Sequence, residues 1–244
     1  MDASQIISIV VFVVALALIV SEKIHRTLVA LVGAVVLMAL QVIPFDVAMG
    51  HLDFNTLGVL LGMMLFVAVV KLSGVFECLA VKCAHLAKGD PWKIMVLFIL
   101  LTAVLSAFLD NVTTVLLIGP VTLTLCSLLK ISPVPFFIAE IMASNIGGTA
   151  TLIGDPPNIM IGSAAGFTFA DFIVYDAPAV VIILIALIVA FRFLYGRKMS
   201  VGQAEIDAVL ALSPSDYIKD RRLLKISVVM VALVVAGFML HGSL

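Results

Sequence analysis

Nine apolar runs follow one another along the chain, at 6–20, 27–43, 54–70, 92–109, 114–129, 133–146, 159–170, 177–194 and 223–240. In hydrocarbon every backbone amide must find its partner inside the protein, so runs of this kind span only as helices. A lone crossing takes about 20 residues. Several runs fall short of that and can cross only in combination. With 64% hydrophobic and 12% charged residues and a mean hydropathy of +1.30, the chain reads as an all-α polytopic membrane protein.

The segment Ser144-Asn145-Ile146-Gly147-Gly148-Thr149-Ala150-Thr151-Leu152-Ile153-Gly154-Asp155-Pro156-Pro157-Asn158 lies between two of the short runs. Its glycines loosen the backbone. Pro156 and Pro157 remove two amide donors and push Asp155 out of the α region, so the helix is expected to open across 144–158. Irregular backbone at membrane depth is tolerated where it lines a cavity, which makes this stretch a candidate solute or ion site.

The 14 basic residues fall in four clusters: Lys23 and Arg26; Lys71, Lys82, Lys88 and Lys93; Lys130; and Arg192, Arg197, Lys198, Lys219, Arg221, Arg222 and Lys225. With the N-terminus outside, all four lie on the cytoplasmic side and the loop with Asp46, His51 and Asp53 lies outside. The run 177–194 is one crossing, so 133–176 must cross an odd number of times. Its two short helical pieces together make one broken span. A signal peptide is the other reading of the first twenty residues. The lack of positive charge before Ile6 and the poor cleavage site Ser21-Glu22-Lys23 favour a first helix.

A second polar insertion, Asp110-Asn111-Val112-Thr113-Thr114, sits between the arms 92–109 and 114–129. Either the arms are full spans joined by an external loop, or they form a hairpin that dips in from the cytoplasm and sets its tip beside Gly147-Gly148. An intramembrane carboxylate is a functional candidate, because it is costly there unless neutralised. Between 71 and 90, Phe76, Leu79, Cys83 and Leu86 share one helical face with Glu77, His85 and Lys88 opposite, which predicts a helix lying on the inner surface. Glu140 lines either the cavity or the aqueous edge. Cys78, Cys83 and Cys126 read as reduced packing residues, and His25, His51, His85 and His241 as loop or helix-end residues without a site role. The polar stretch 200–222 reads as a cytoplasmic linker.

The segment 144–158, together with Leu-Asp-Asn-Val-Thr-Thr-Val-Leu-Leu-Ile-Gly-Pro at 109–120 and Ile-Ala-Glu at 138–140, resembles the ion transporter superfamily. The nearest likeness is to its arsenite-permease, sodium/proton-antiporter and citrate-transporter-like group, which includes the pink-eyed-dilution protein. The resemblance runs along essentially the whole chain but matches only the N-terminal half of a family member, whose second half is an inverted repeat. It implies scaffold spans and an interfacial helix over 1–90. A transport-domain half follows over 91–195, comprising a cytoplasmic re-entrant hairpin at 92–129, a broken helix at 133–170 and a span at 177–194. A linker at 196–222 and the first span of the missing half at 223–244 complete the chain. An elevator-like homodimer is implied for the full-length protein.

Asp110-Asn111-Val112 stands where divalent-anion/sodium symporters carry Ser-Asn-Thr, and Gly154-Asp155-Pro156-Pro157-Asn158 where they carry Gly-Thr-Gly-Pro-Asn. Asn111, Asn145 and Gly147 match positions that in those relatives help hold sodium or substrate, so they are the implied Na+ site. The wider candidate set is Asp110, Asn111, Thr113, Thr114, Ser144, Asn145, Gly147, Gly148, Thr149, Thr151, Asp155, Pro156, Pro157 and Asn158. Asp110 and Asp155 each add negative charge where the symporters have a hydroxyl. Two carboxylates near an anion cost roughly 4 kcal/mol per pair at about 4 Å and an effective dielectric near 20, so cations or protons must neutralise the site.

Two mechanisms stay open. The half-helix N-termini at Thr114 and Ile159 could hold an oxyanion with sodium at Asn111 and Asn145, or an aspartate could shuttle protons against a cation or a metalloid. The expected function is Na+- or H+-coupled secondary transport of a small anion, organic acid or metalloid oxyanion such as citrate or arsenite. The expected setting is the cell's inner (plasma) membrane, and no cofactor is expected beyond the coupling ion. A Na+/H+ antiporter without organic substrate, a non-transporting subunit and a channel are the alternatives. No hydrolytic triad, His/Cys metal cluster, phosphate loop or nucleotide fold is present in the sequence, so neither an enzyme nor a nucleic-acid partner is expected. All basic clusters favour one orientation, so a second copy cannot supply the inverted half. The chain is therefore expected to be a fragment or a split half, inactive alone.

Overall fold

Caps and prolines set where each helix begins and ends. The computed structural model of the chain describes residues 2–196 and 199–241, and every regular element among them is helical. Arg197 and Lys198 of the last basic cluster, and the side chain of His241, lie outside the described residues. The chain folds as two compact units, Met1–Phe54 and Asn55–Leu244.

In the first unit α1 (Ala3–Val20) starts from Asp2, whose carboxylate accepts from the Ala3 amide at 2.8 Å while Gln5 reaches back to the Asp2 amide in a capping box. It packs on α2 (Arg26–Ala39), where Gly33 faces Val11 and Ala15. A short α3 (Phe45–Gly50) follows. α1 buries none of its side chains, and Phe12, Val13 and Leu31 are more than half exposed. Such a surface belongs in lipid, where apolar side chains facing outward carry no penalty.

The second unit opens with α4 (Phe54–Lys71) and α5 (Val75–Leu86), which meet at 63°. Gly74 makes the corner with φ +77, a conformation that glycine alone adopts without penalty. Then come α6 (Pro91–Ser106) and α7 (Asn111–Leu128), α8 (Val134–Gly148) and α9 (Pro156–Ala165), and α10 (Phe169–Leu194). After them stand α11 (Gln203–Leu210), a 3-10 turn at Pro214–Tyr217 and α12 (Arg221–His241). The core lies among α5, α6, α7 and α8, with Val81, Ile94, Phe98, Ile118, Leu125 and Phe136 wholly buried.

Among the described residues four helices, α1, α7, α10 and α12, are long and apolar enough to cross a bilayer by themselves. α6 and α8 are apolar but shorter, with 16 and 15 residues, about 24 and 22 Å of rise.

Three local expectations change. α8 does not open at Ser144: it stays helical through Gly148, and the break is confined to 149–155. α10 begins at Phe169 rather than 177, because Thr168 and Asp171 form a capping box that carries the helix back through Asp176. On α5 the buried face is Phe76, Ala80, Val81, Ala84 and Ala87, while Leu86 is 74% exposed. The alanines, rather than the larger Leu79 and Leu86, turn inward because α5 lies close against α6 and α7.

The polar stretch 200–222 forms a strap held to the helices. Lys219 N donates to the Ser73 carbonyl at 3.0 Å, His85 Nε2 to the Leu212 carbonyl at 2.7 Å, and Lys130 Nζ to Glu205 Oε1 at 3.0 Å. Val209 of α11 is fully buried beneath it.

Candidate functional site

The two polar insertions meet. Asn111 Nδ2 donates to Asn145 Oδ1 at 2.7 Å, which joins the start of α7 to the last turns of α8. Thr151 Oγ1, in the break, donates to the Ala107 carbonyl at the turn between α6 and α7. The C-termini of α6 and α8 and the N-termini of α7 and α9 thus gather at one place.

Small residues let the backbones come this close. A Cβ on Gly147 would stand 2.2 Å from the Ala103 carbonyl oxygen, and one on Gly154 would stand 2.4 Å from the Gly148 oxygen and 2.7 Å from the Ser106 oxygen. The glycines therefore serve mainly as contact surfaces; Gly147, Gly148 and Gly154 all keep negative φ. The break is braced by Asn158, whose Nδ2 donates to the Thr151 carbonyl at 2.9 Å and to the Gly148 carbonyl at 3.2 Å. Those bonds satisfy carbonyls that the end of α8 leaves open.

Asp110 and Asp155 are the N-caps of α7 and α9, and each lies within reach of the other's charge. Asp110 Oδ2 accepts from the Thr113 amide at 3.0 Å. Asp155 makes no capping bond, so its carboxylate is available to a solute. Several of the amides at these N-termini are already engaged. Val112 N donates to Asn111 Oδ1 at 2.8 Å, and Thr114 N to the Asp110 carbonyl at 3.0 Å. Pro156 and Pro157 have none, and the Asn158 amide donates to the Asp155 carbonyl at 3.0 Å. The half-helix N-termini near Thr114 and Ile159 therefore offer an oxyanion few free amides. What the tip offers is mostly acceptors: two carboxylates, the carboxamide oxygens of Asn111 and Asn145, and carbonyls of the break. Such a set suits a cation.

The hydroxyls of three other candidates are turned back onto nearby carbonyls. Ser144 is buried and its hydroxyl turns back to the Ile141 carbonyl at 3.0 Å. Thr149 bonds the Ile146 carbonyl at 2.8 Å, and Thr114, buried, bonds the Asp110 carbonyl at 3.0 Å. Sequence reasoning missed Ala103, Ser106 and Ala107, which form the small-residue face that receives α8. Their spacing of three and four residues was the available signal. Glu140 reaches neither cavity nor aqueous edge; it is buried against α7, where Thr122 Oγ1 donates to its Oε1 at 2.5 Å.

The citrate transporter family (CitMHS) matches residues 16–244. An uncharacterized transporter of Mycobacterium tuberculosis is 45% identical over 244 residues, 98% of this chain and 57% of that protein. A 46 kDa membrane protein of Mycobacterium leprae is 42% identical with the same coverage. The P protein of Homo sapiens is 42% identical over 192 residues, 75% of this chain and 23% of that protein. The chain thus spans little more than half the length of the mycobacterial relatives. These similarities bear out the resemblance read from 109–120, 138–140 and 144–158. The chain is a multi-pass helical membrane protein and belongs to the citrate transporter family.

Proposed function

We propose that this chain provides the cation- and substrate-binding half of a secondary active transporter for small carboxylate anions, with citrate as the first substrate to test. The observation that carries this reading is the Asn111–Asn145 bond, which brings both polar insertions to one point where four helix ends converge. The acceptor-rich tip orders the events. A cation, Na+ or H+, enters first beside Asp110, Asp155 and the carboxamide oxygens, and the anion follows onto a neutralised site. Without that step the two carboxylates would repel an anion by several kcal/mol.

Broken helices and short hairpins that meet inside the bilayer are a recurring design of alternating-access transporters. The shortness of α6 and the docking of its turn against the break support a re-entrant hairpin over a solvent loop. Elevator movement in a homodimer is part of the same reading. The paired aspartates also favour a second reading, cation/proton antiport without an organic substrate.

The test is uptake of labelled citrate by proteoliposomes containing the natural full-length protein, under an inward Na+ gradient, an inward proton gradient or neither. The proposal expects uptake that follows one cation gradient and falls in Asn111→Ala. Cation flux without citrate uptake selects antiport, and gradient-independent leak through the protein refutes both.

A further inference from the structure

Away from the tip, α8 carries a second polar device. Glu140 is 1% exposed, and its two oxygens are treated differently. Oε1 accepts from Thr122 at 2.5 Å, whereas Oε2 is buried with no partner at all. Thr122 Oγ1 also stands 3.4 Å from the Ile118 carbonyl one turn back on α7. A hydroxyl so placed can turn. It donates to an ionised Glu140, and it donates to Ile118 while accepting from a Glu140 that carries a proton. Both charge states of the carboxyl then have a partner.

Among the described residues none of the ion pairs involves Glu140: these include Lys93 with Asp90, Lys130 with Glu205 and Lys219 with Glu77. The buried face of α6 is Ile94, Met95, Phe98, Ile99, Thr102, Ala103 and Ser106, none of them titratable. α7 brings one titratable group into range, the buried Cys126 thiol. On α10, Asp171 is held by Thr168, Arg192 lies over the Trp92 ring at 5.2 Å, and Tyr175 and Asp176 are exposed. A carboxylate buried among membrane helices with no cation beside it is costly when ionised, which makes Glu140 a candidate for taking up a proton.

We infer that Glu140, with Thr122 as its turning partner, is a proton-binding site separate from the tip. The proton comes from water, forms an O–H bond at Oε1 that is donated to Thr122 Oγ1, and leaves by the same oxygen. Thr102 Oγ1 and Ser106 Oγ, one turn apart on α6, are also buried without partners, and a Cβ on Gly148 would lie 3.4 Å from Ser106 Oγ. They mark a polar route from the tip into the helix interior. Glu140 stands five residues before Asn145, about 7–8 Å along α8. At that separation and an effective dielectric near 20, its charge shifts cation occupancy at the tip by more than roughly tenfold. The coupling to transport rests on the function proposed above; the proton site does not.

The experiment is infrared difference spectroscopy of the full-length protein in nanodiscs across a pH titration, with no substrate present. The wild type is expected to show a titrating carboxyl C=O band that Glu140→Gln removes. Thr122→Val should shift that band to higher frequency by removing its hydrogen bond, and Thr122→Ser should restore it. A spectrum unchanged by Glu140→Gln, or a band indifferent to Thr122→Val, overturns the assignment. Uptake separates the two readings. If the Glu140 band titrates but Glu140→Gln leaves the pH dependence of uptake intact, the proton site stands and its coupling is refuted.

Discussion

Replacing Gly147 by alanine is the sharpest test of how the site is assembled. The added Cβ would meet backbone, with the Ala103 oxygen at 2.2 Å and the Ala103 Cα at 2.5 Å, and backbone has no rotamer by which to retreat. Restoring ordinary contact requires α8 to move off α6 by about 1 Å. Overpacking of that kind costs about 1–3 kcal/mol. The same shift stretches the 2.7 Å bond between Asn111 and Asn145 toward its limit, at a cost of about 1 kcal/mol more. For a chain of this size the sum lowers the melting temperature by about 5–15 °C. Gly62→Ala is the control: nothing lies within 4 Å of its Cβ, and alanine in a helix is worth up to about 1 kcal/mol over glycine. Thermal unfolding in detergent, read by circular dichroism, measures both. Gly147→Ala melting level with Gly62→Ala would mean that α6 and α8 are not in backbone contact, and the geometry of the site would fall with it.

Asn158→Leu removes the donor to the Gly148 and Thr151 carbonyls and should destabilise by about 1–3 kcal/mol, measured by denaturant or thermal unfolding; a neutral result denies the brace. Gly74→Ala forces a side chain into the left-handed region and onto the Tyr217 carbonyl, so the strap over α5 should release and become cleavable in limited proteolysis, and an equally resistant variant contradicts this. Glu205 is held below its ordinary value of 4.5 by its hydrogen bond from Lys130. A carboxylate depressed in the folded state stabilises fully above its ordinary value and loses that contribution as the pH falls through the folded one. Hydrogen-exchange protection of α11 should therefore drop in acid in the wild type but stay level in Glu205→Gln, and parallel curves for the two would dismiss the ion pair.

The apolar runs were readable because lipid imposes one rule on every segment: eight of the nine fall mainly on one helix each, and 159–170 crosses from α9 over the turn at 166–168 into α10. Asp90, Asp110 and Thr168 cap helix starts through their side chains, whereas Asp155 stands at one without a capping bond. Two site features were not legible. Gly147-Gly148 suggested an opened helix, because glycine freedom and glycine closeness look identical in a sequence; only the position of Ala103 distinguishes them. The side to which Glu140 turns depends on where α7 packs, which no periodicity within α8 encodes. The order of the strap was hidden for a similar reason. A polar stretch such as 200–222 reads as loose until the carbonyls of Ser73 and Leu212 are seen to accept from Lys219 and His85.

The most direct test of a site built jointly by the two insertions is a double-mutant cycle on ion-driven uptake by the full-length protein, using Asn111→Ala, Asn145→Ala and the pair. A shared site predicts that each single change slows uptake and that the pair is little worse than either, with a coupling of about 1–3 kcal/mol. Fully additive losses, or normal uptake in both single variants, would show that Asn111 and Asn145 do not act together on a solute.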